Sequence, residues 1–587
     1  MKKEFLTGNE AIARGAYEYG VIFASAYPGT PSTEILENIA KYKEIHAEWA
    51  PNEKVALESA AGASLAGARC LVSMKHVGVN VAADPLFTLV YTGVNGGLVL
   101  VSADDPGMHS SQDEQDNRNY APFARIPMFE PSDSQEAKDL IGIALEVSEK
   151  YDIPVLFRIT TRIAHSRGIV RLGERIKREL AAYKKNPQKY AMIPGFARRR
   201  RLDLEERLKA LKDFSESFSY NKIVWGSIKE FGIITSGVSY QYVKEVFGDD
   251  ISILKLTMTY PLPEKLISEF VNKFEKVYVV EELDPYLENS IKAMGYKNII
   301  GKEVIPAIGE LSPEIIREAF GAGKAKVYYK PQGNLPMRPP VLCAGCPHRG
   351  VFYVLRKMKA VVTSDIGCYS LGVLPPLEGI DSILCMGASI GMGHGFKKAY
   401  EQEGKESPLV ISVIGDSTFL HSGVTGLMNV VYNNSNTITM IVDNSITAMT
   451  GHQHHPGTGY NAKDEPAYAV SLEEICKALG IKNIYTVDSY DLSAVENAIK
   501  TAANNKTEPS VIIARRPCAL LKGKGPKGLY KVNQEKCKKC KMCLKVGCPA
   551  VQIHGEETII NPLSCVGCSV CAQVCPFDAI EKAGEER

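Results

Sequence analysis

Residues 410–453 read VISVIGDSTFLHSGVTGLMNVVYNNSNTITMIVDNSITAMTGHQ, and this stretch decides the fold. It opens with an apolar, β-branched run at 410–414 that stops at Gly415-Asp416-Ser417. A helical pattern follows at 426–432, and a second β-run at 437–442 ends at Asp443-Asn444. Strand, helix and strand, with polar residues at both strand ends, predict a parallel βαβ unit. Ligands of such sheets lie outside the carboxyl ends of the strands. Asp416 and Asn444, with 27 residues between them, therefore face one crevice. Together with the backbone carbonyl of Ile446 they offer three oxygen ligands, which leaves room on an octahedral Mg²⁺ for the oxygens of a diphosphate. The plainer alternative is an ordinary βαβ unit whose aspartate caps a helix.

Working outward, the same alternation of short apolar runs and helical patterns recurs at 21–25, 70–75, 97–102 and 154–159. It predicts a doubly wound, mostly parallel sheet in the first 171 residues. Ser32 or Thr33 can cap the helix that follows residues 27–35, YPGTPSTEI. Residues 172–219 are mixed in charge and helical, which reads as a solvated connector. Runs at 231–235, 251–256 and 277–281 predict a further α/β unit at 220–330. A proline-rich linker at 331–340 leads into the unit at 335–521 that carries the opening stretch. A second linker, at 522–531, leads into a tail at 528–587.

Net charge is +2, so no basic footprint points to nucleic acid. No run of 18 or more apolar residues is present, and the N-terminus lacks the apolar core of a signal peptide, so a cytoplasmic, membrane-free protein is expected. Fifteen cysteines in that setting argue against disulfides.

Eight of those cysteines fall in the last 51 residues, as Cys537-x2-Cys540-x2-Cys543-x4-Cys548-Pro and Cys565-x2-Cys568-x2-Cys571-x3-Cys575-Pro. Three thiolates two residues apart wrap one corner of a cubane, and the fourth, before proline, reaches the other cluster. Cys537, Cys540, Cys543 and Cys575 are thus expected to hold one [4Fe–4S] cluster, and Cys565, Cys568, Cys571 and Cys548 a second. A pair of zinc knuckles would need ligand pairs separated by longer spacers. The tail resembles a bacterial two-cluster ferredoxin and implies one-electron transfer.

With these residues in view, the chain resembles the thiamine diphosphate-dependent 2-oxoacid:ferredoxin oxidoreductases. The 410–453 stretch is similar to the thiamine diphosphate signature, with Ser417 in place of its second glycine. Residues 27–35 and 58–69 (ESAAGASLAGAR) are similar to the family's pyrimidine-binding domain. The segments CAGCPH at 343–348, DIGCYS at 365–370 and GASIGMGHG at 387–395 are similar to its diphosphate-binding domain. The resemblance covers nearly the whole chain. It implies an α/β protein with two thiamine diphosphate-binding, doubly wound parallel-sheet domains, pyrimidine-binding at 1–171 and diphosphate-binding at 335–521. A transketolase-C-terminal-like domain at 220–330 and the ferredoxin-like domain at 528–587 complete it.

The resemblance also implies roles. The family's helix-opening glutamate touches the aminopyrimidine, and Glu58 is the expected residue, with Glu53 the weaker choice. A carboxyl group there must share a proton with N1′ so that the amino group can take the proton of C2. Thr30 is expected to offer a hydroxyl to the substrate, and Arg118 to pair with its carboxylate, against the alternative of an ordinary ion pair. Asp416, Asn444 and Ile446 would hold Mg²⁺, with Ser417, Gly387, His348 and Cys346 also near the cofactor. Cys343, Cys346, Cys368 and Cys518 would hold a third cluster, against the alternative of plain buried thiols. Residues 75–85 (KHVGVNVAADP) and 104–112 (DDPGMHSSQ) tilt the resemblance toward the arylpyruvate branch, whose members make arylacetyl-coenzyme A and CO₂ and pass electrons to ferredoxin. Partners implied are a smaller β subunit in a two-plus-two assembly, ferredoxin, the 2-oxoacid and coenzyme A. The same chemistry on pyruvate, 2-oxoglutarate or branched 2-oxoacids is the alternative. A non-oxidative decarboxylase or a non-catalytic electron-transfer scaffold are the others.

Overall fold

The computed structural model describes residues 2–323, 333, 335–336, 338–526 and 528–583. It contains two compact units, 1–332 and 333–587. Of the linker expected at 331–340, residues 331, 332, 334 and 337 lie outside the described residues.

In the first unit a seven-stranded sheet runs in the order Met258–Tyr260, Met128–Phe129, Val155–Thr160, Leu98–Asp104, Cys70–Lys75, Phe23–Ala26, His46–Trp49. Every pairing is parallel except that of Met258–Tyr260. Cys70–Lys75 and Leu98–Asp104 are buried along their whole length, the pattern of central strands covered on both faces. The chain first winds outward from Phe23–Ala26 to His46–Trp49, then returns to Cys70–Lys75 on the other side. The crevice between Phe23–Ala26 and Cys70–Lys75 is therefore the topological switch point of this sheet. A second sheet, of five strands, contains Phe231–Ser236, Ser252–Leu256 and Lys276–Val280 at its centre.

Three expectations change here. The boundaries at 171/172 and 219/220 do not separate independent bodies, because Met258–Tyr260 closes the edge of the first sheet. Residues 172–219 are solvated only in part, since 176–188 are exposed but the helix that follows is docked. The helix Pro194–Ser217 buries Arg200, Leu204 and Leu211. Arg200 donates to the carbonyls of Tyr91 and Thr92, and Arg207 to those of Val90 and Tyr91. Those carbonyls end the helix Ala83–Thr92, where backbone acceptors lack partners and positive charge is favourable. Finally, Ser32 does not cap the helix Thr33–Ile39, since its hydroxyl is donated back to the Gly29 carbonyl at 2.8 Å.

The second unit has a six-stranded, all-parallel sheet ordered Ser382–Ile383, Val361–Ser364, Val410–Gly415, Ile438–Asp443, Ser510–Arg515, Asn483–Asp488. The expected helix appears as Val424–Tyr432, entered through a π-helical turn at Phe419–Gly423. Its switch point lies between Val361–Ser364 and Val410–Gly415, so Asp365 and Asp416 open onto one crevice.

The cysteine tail packs on this sheet's domain. Its ends pair as antiparallel strands, Leu529–Val532 with Ile580–Ala583, and a hairpin joins Val551–His554 to Glu557–Ile560. Gln573 donates to the Tyr490 carbonyl at 2.7 Å, and the Tyr490 hydroxyl donates to the Gly345 carbonyl at 2.6 Å. Gly345 has φ +66°, and a Cβ there would strike Val566 of the tail, so only glycine permits this approach.

Candidate cofactor and cluster sites

At the carboxyl end of Val410–Gly415, the buried Asp416 carboxylate accepts from the Ser445 amide at 2.8 Å and faces His455 Nε2 at 3.2 Å. Burial pushes its pKa up, but the neighbouring His455 outweighs that and holds Asp416 below the usual carboxylate range. Asp443 next to it moves the other way, to about 6, through burial and the charge of Asp416. Asn444 Oδ1 accepts from the Ile446 amide at 3.3 Å, and its Nδ2 lies 3.5 Å from His348 Nε2. Ser445 between them adopts φ +61°, a left-handed turn whose amide is the one that reaches Asp416. An ionised carboxylate, an amide oxygen and a loop carbonyl on adjacent strand ends fit a hard, six-coordinate cation.

His348 is buried and held neutral, its pKa pushed down to about 4 by burial. Ser417 accepts from the Thr447 hydroxyl at 2.9 Å, which ties the two loops together. Gly387, at φ +86°, starts the helix Ala388–Gln402. Asp365 receives the Ser389 amide and hydroxyl at that helix start, and burial lifts it to about 6. His455 and Asp365 were not singled out as site residues from the sequence. Their signals, a His-His-Pro after the metal loop and an aspartate ending a strand, are common in loops.

The tail brings Cys575 beside Cys537, Cys540 and Cys543, and these four line one cavity. Cys571 is surrounded by Cys548, Cys565 and Cys568, and also neighbours Cys543. Lys541 and Ser569, each following the second cysteine of its repeat, take left-handed φ of 60° and 65°. The repeat in sequence is thus a repeat in backbone. A third group forms at the rim of the sheet, where Cys343 neighbours Cys346, Cys368 and Cys518. Among the described residues no three Cys, His, Asp or Glu side chains converge as a single zinc ion would require. Cysteine quartets of wider reach fit a cubane.

In the first unit the expectation for Glu58 needs correction. The helix Glu53–Leu65 opens at Glu53, capped by Asn52, whose side chain accepts from the Val55 amide at 2.9 Å. Glu53 is buried, 5 % exposed, and its carboxyl presses on Gly78, where a Cβ would lie 2.6 Å from Oε1. Glu58 lies over one turn further on, 45 % exposed, in an i,i+4 pair with Lys54. The helix-opening position belongs to Glu53.

Arg118 also differs from expectation. It is fully buried, and its guanidinium bonds Asp116 at 2.6 Å, Glu281 at 2.6 Å and the Glu282 carbonyl at 2.6 Å. Saturated by carboxylates of its own chain, it ties the first sheet to the second and has no capacity for a substrate anion.

Thr30 is half-buried in the loop that follows the strand Phe23–Ala26, at the switch point. Across the crevice stands Lys75, the last residue of its strand, with its side chain against Gly29. Its ammonium donates to the Ser110 carbonyl at 2.6 Å. His76 follows, buried, with Nε2 3.2 Å from Asp113 and Nδ1 without a partner.

Family models match three segments. Residues 14–205 match the thiamine diphosphate-binding part of pyruvate flavodoxin/ferredoxin oxidoreductases, 365–514 the C-terminal binding domain of thiamine pyrophosphate enzymes, and 558–581 a 4Fe-4S binding domain. The indolepyruvate oxidoreductase subunit IorA of Pyrococcus horikoshii is 42 % identical over 100 % of this chain and 97 % of its own. That of Archaeoglobus fulgidus is 41 % identical over 99 % and 98 %. The 2-oxoglutarate synthase subunit KorA of Archaeoglobus fulgidus is 25 % identical over 48 % of this chain and 88 % of its own.

Proposed function

The chain belongs to the family of indolepyruvate oxidoreductase A subunits, 2-oxoacid:ferredoxin oxidoreductases with thiamine diphosphate and iron–sulfur clusters, and we propose that its own substrates are arylpyruvates. An arylpyruvate such as indolepyruvate or phenylpyruvate and coenzyme A give the arylacetyl-coenzyme A, CO₂, a proton and two electrons. With clusters bound, the cysteine quartets would carry the electrons one at a time toward ferredoxin. Identity of 42 % over the full chain to a protein named for indolepyruvate is the observation that carries the substrate. A smaller partner subunit, a two-plus-two assembly and a cytoplasmic setting belong to the same reading.

Asp416, Asn444 and the Ile446 carbonyl would hold Mg²⁺ and, through it, the diphosphate. When bound, thiamine diphosphate supplies the electron sink for decarboxylation. Glu53, in place of Glu58, is the carboxyl assigned to hold the proton exchanged at the aminopyrimidine nitrogen. Lys75, in place of Arg118, meets the oxoacid's carboxylate, with the Thr30 hydroxyl beside it. Each tail quartet holds one [4Fe–4S] cluster, and Cys343, Cys346, Cys368 and Cys518 hold a third.

The test is an anaerobic assay of the chain with its native partner, coenzyme A, a low-potential dye and a panel of 2-oxoacids. Fastest dye reduction with indolepyruvate or phenylpyruvate is expected. Faster turnover of 2-oxoglutarate, which the likeness to a 2-oxoglutarate synthase subunit keeps as a second reading, would overturn the substrate. Glu53→Gln should lower turnover about 10²–10⁴-fold with iron content unchanged, the usual range for losing a general acid–base group. Glu58→Gln should stay within about twofold. Turnover that survives both Glu53→Gln and Asp416→Ala would leave the chain a scaffold.

A further inference from the structure

Arg349 follows His348 in the helix His348–Lys357 and is 3 % exposed. Its guanidinium donates to four backbone carbonyls, those of Leu342, Cys343, Val546 and Gly547. Two belong to the sheet domain, Cys343 of the CAGC segment and Leu342 just before it, and two to the loop before Cys548 in the tail. Gly547 makes room for it, since at φ +70° a Cβ would lie 3.2 Å from Arg349 Nη1. Among the described residues no carboxylate forms an ion pair with it. The groups of opposite potential charge nearest to it are thiols, Cys343 and Cys346 on one side and Cys548 and Cys568 on the other.

A buried guanidinium without a counter-charge is costly, and carbonyl dipoles alone do not balance a full charge. A cubane with four thiolate ligands is net anionic in both redox states, and its potential depends on nearby charge and hydrogen bonding. We infer that Arg349 is an electrostatic bridge between two iron–sulfur clusters, one on Cys343, Cys346, Cys368 and Cys518, the other on Cys548, Cys565, Cys568 and Cys571. This rests on the reading of a third cluster given above. Arg349 is a positioning residue: it fixes the two cluster loops against each other and favours the reduced form of both clusters. One electron passes from the first cluster to the second across this wall, with no proton or bond change. The quartet Cys537, Cys540, Cys543 and Cys575, reached through the contact of Cys571 with Cys543, is then the exit toward the acceptor.

The test is an anaerobic redox titration, followed by electron paramagnetic resonance, of the iron-loaded full chain with its partner subunit. Iron and sulfide are counted first. Wild-type protein with iron for only two of the three clusters would overturn the underlying three-cluster reading. With three clusters present, Arg349→Gln is expected to retain the iron and shift two of three potentials to more negative values, leaving the exit cluster unmoved. Arg349→Lys, which keeps the charge but not all four hydrogen bonds, should bring both potentials most of the way back. Unshifted potentials in Arg349→Gln, or equal shifts in all three clusters, would overturn the bridge. If the Gln variant loses iron, the Lys variant decides: two potentials close to wild type in the iron-replete Lys protein support a role through charge, and a large negative shift of both overturns it.

Discussion

Two of the buried arginines, Arg118 and Arg349, are neutralised in opposite ways. Arg118, in the first unit, meets Asp116 and Glu281 directly, and Arg158 beside it meets Asp104 and Glu130. Arg349, in the second unit, meets only carbonyl oxygens and the neighbourhood of four thiols. A charge balanced by its own chain is finished as soon as the chain folds, so it can serve only as a tie. A charge that no carboxylate among the described residues balances is the kind that a bound anionic group can complete, as proposed for Arg349. The contrast therefore separates a structural arginine from one that faces a cofactor, although both are arginines at full burial near a strand end or helix start.

The largest effect that would sharpen the contrast is on folding of the first unit. Arg118→Met should destabilise it by about 3–5 kcal/mol, because Asp116 and Glu281 are left buried without their cation. Denaturant unfolding would measure this, and a loss under about 1 kcal/mol would put Arg118 back among substrate-binding candidates.

A smaller effect is expected at Arg349, and it should depend on the clusters. Stripping iron and sulfide exposes the unbalanced guanidinium in wild-type protein but not in Arg349→Gln. The stability lost on stripping should differ between the two by on the order of 1–2 kcal/mol. Equal losses would mean that the carbonyls suffice.

A third effect is a pH dependence. Around Arg118 and Arg158 five acids are gathered, namely Asp104, Asp116, Glu130, Glu281 and Glu282, so carboxylates outnumber cations. Burial, opposed only in part by the two arginines, lifts Glu282 to about 7. Its folded pKa thus lies above its unfolded one, and the folded state keeps a proton that the unfolded state releases. The associated stability is present below about pH 4.5 and is lost as pH rises to about 7, with a slope of at most about 1.4 kcal/mol per pH unit. Glu282→Gln should flatten that part of the stability profile.

Local chemistry was legible without a structure wherever it rested on spacing. The Cys-x2-Cys-x2-Cys repeats and the two strand ends at Asp416 and Asn444 are set by covalent reach and by the strand period, and Asp416 and Asn444 directly follow the strands Val410–Gly415 and Ile438–Asp443. Glu58 was favoured over Glu53 because the Ala- and Gly-rich run starts there in sequence. The helix itself starts five residues earlier, because Asn52 caps it. Arg118 read as a substrate ligand because a strand end precedes it, and nothing near it in sequence announces Glu281, 163 residues on.

What the sequence determined by itself is the class of sheet, the polar strand ends at Asp416 and Asn444 and the cysteine repeats, since each is written within a few dozen consecutive residues. Only the tertiary structure decided which glutamate is buried at a helix start, why the charged helix Pro194–Ser217 is docked instead of solvated, and which buried arginine is already neutralised. The physical reason is that burial and charge balance are sums over neighbours. For Arg349 those neighbours include Gly547, 198 residues away along the chain.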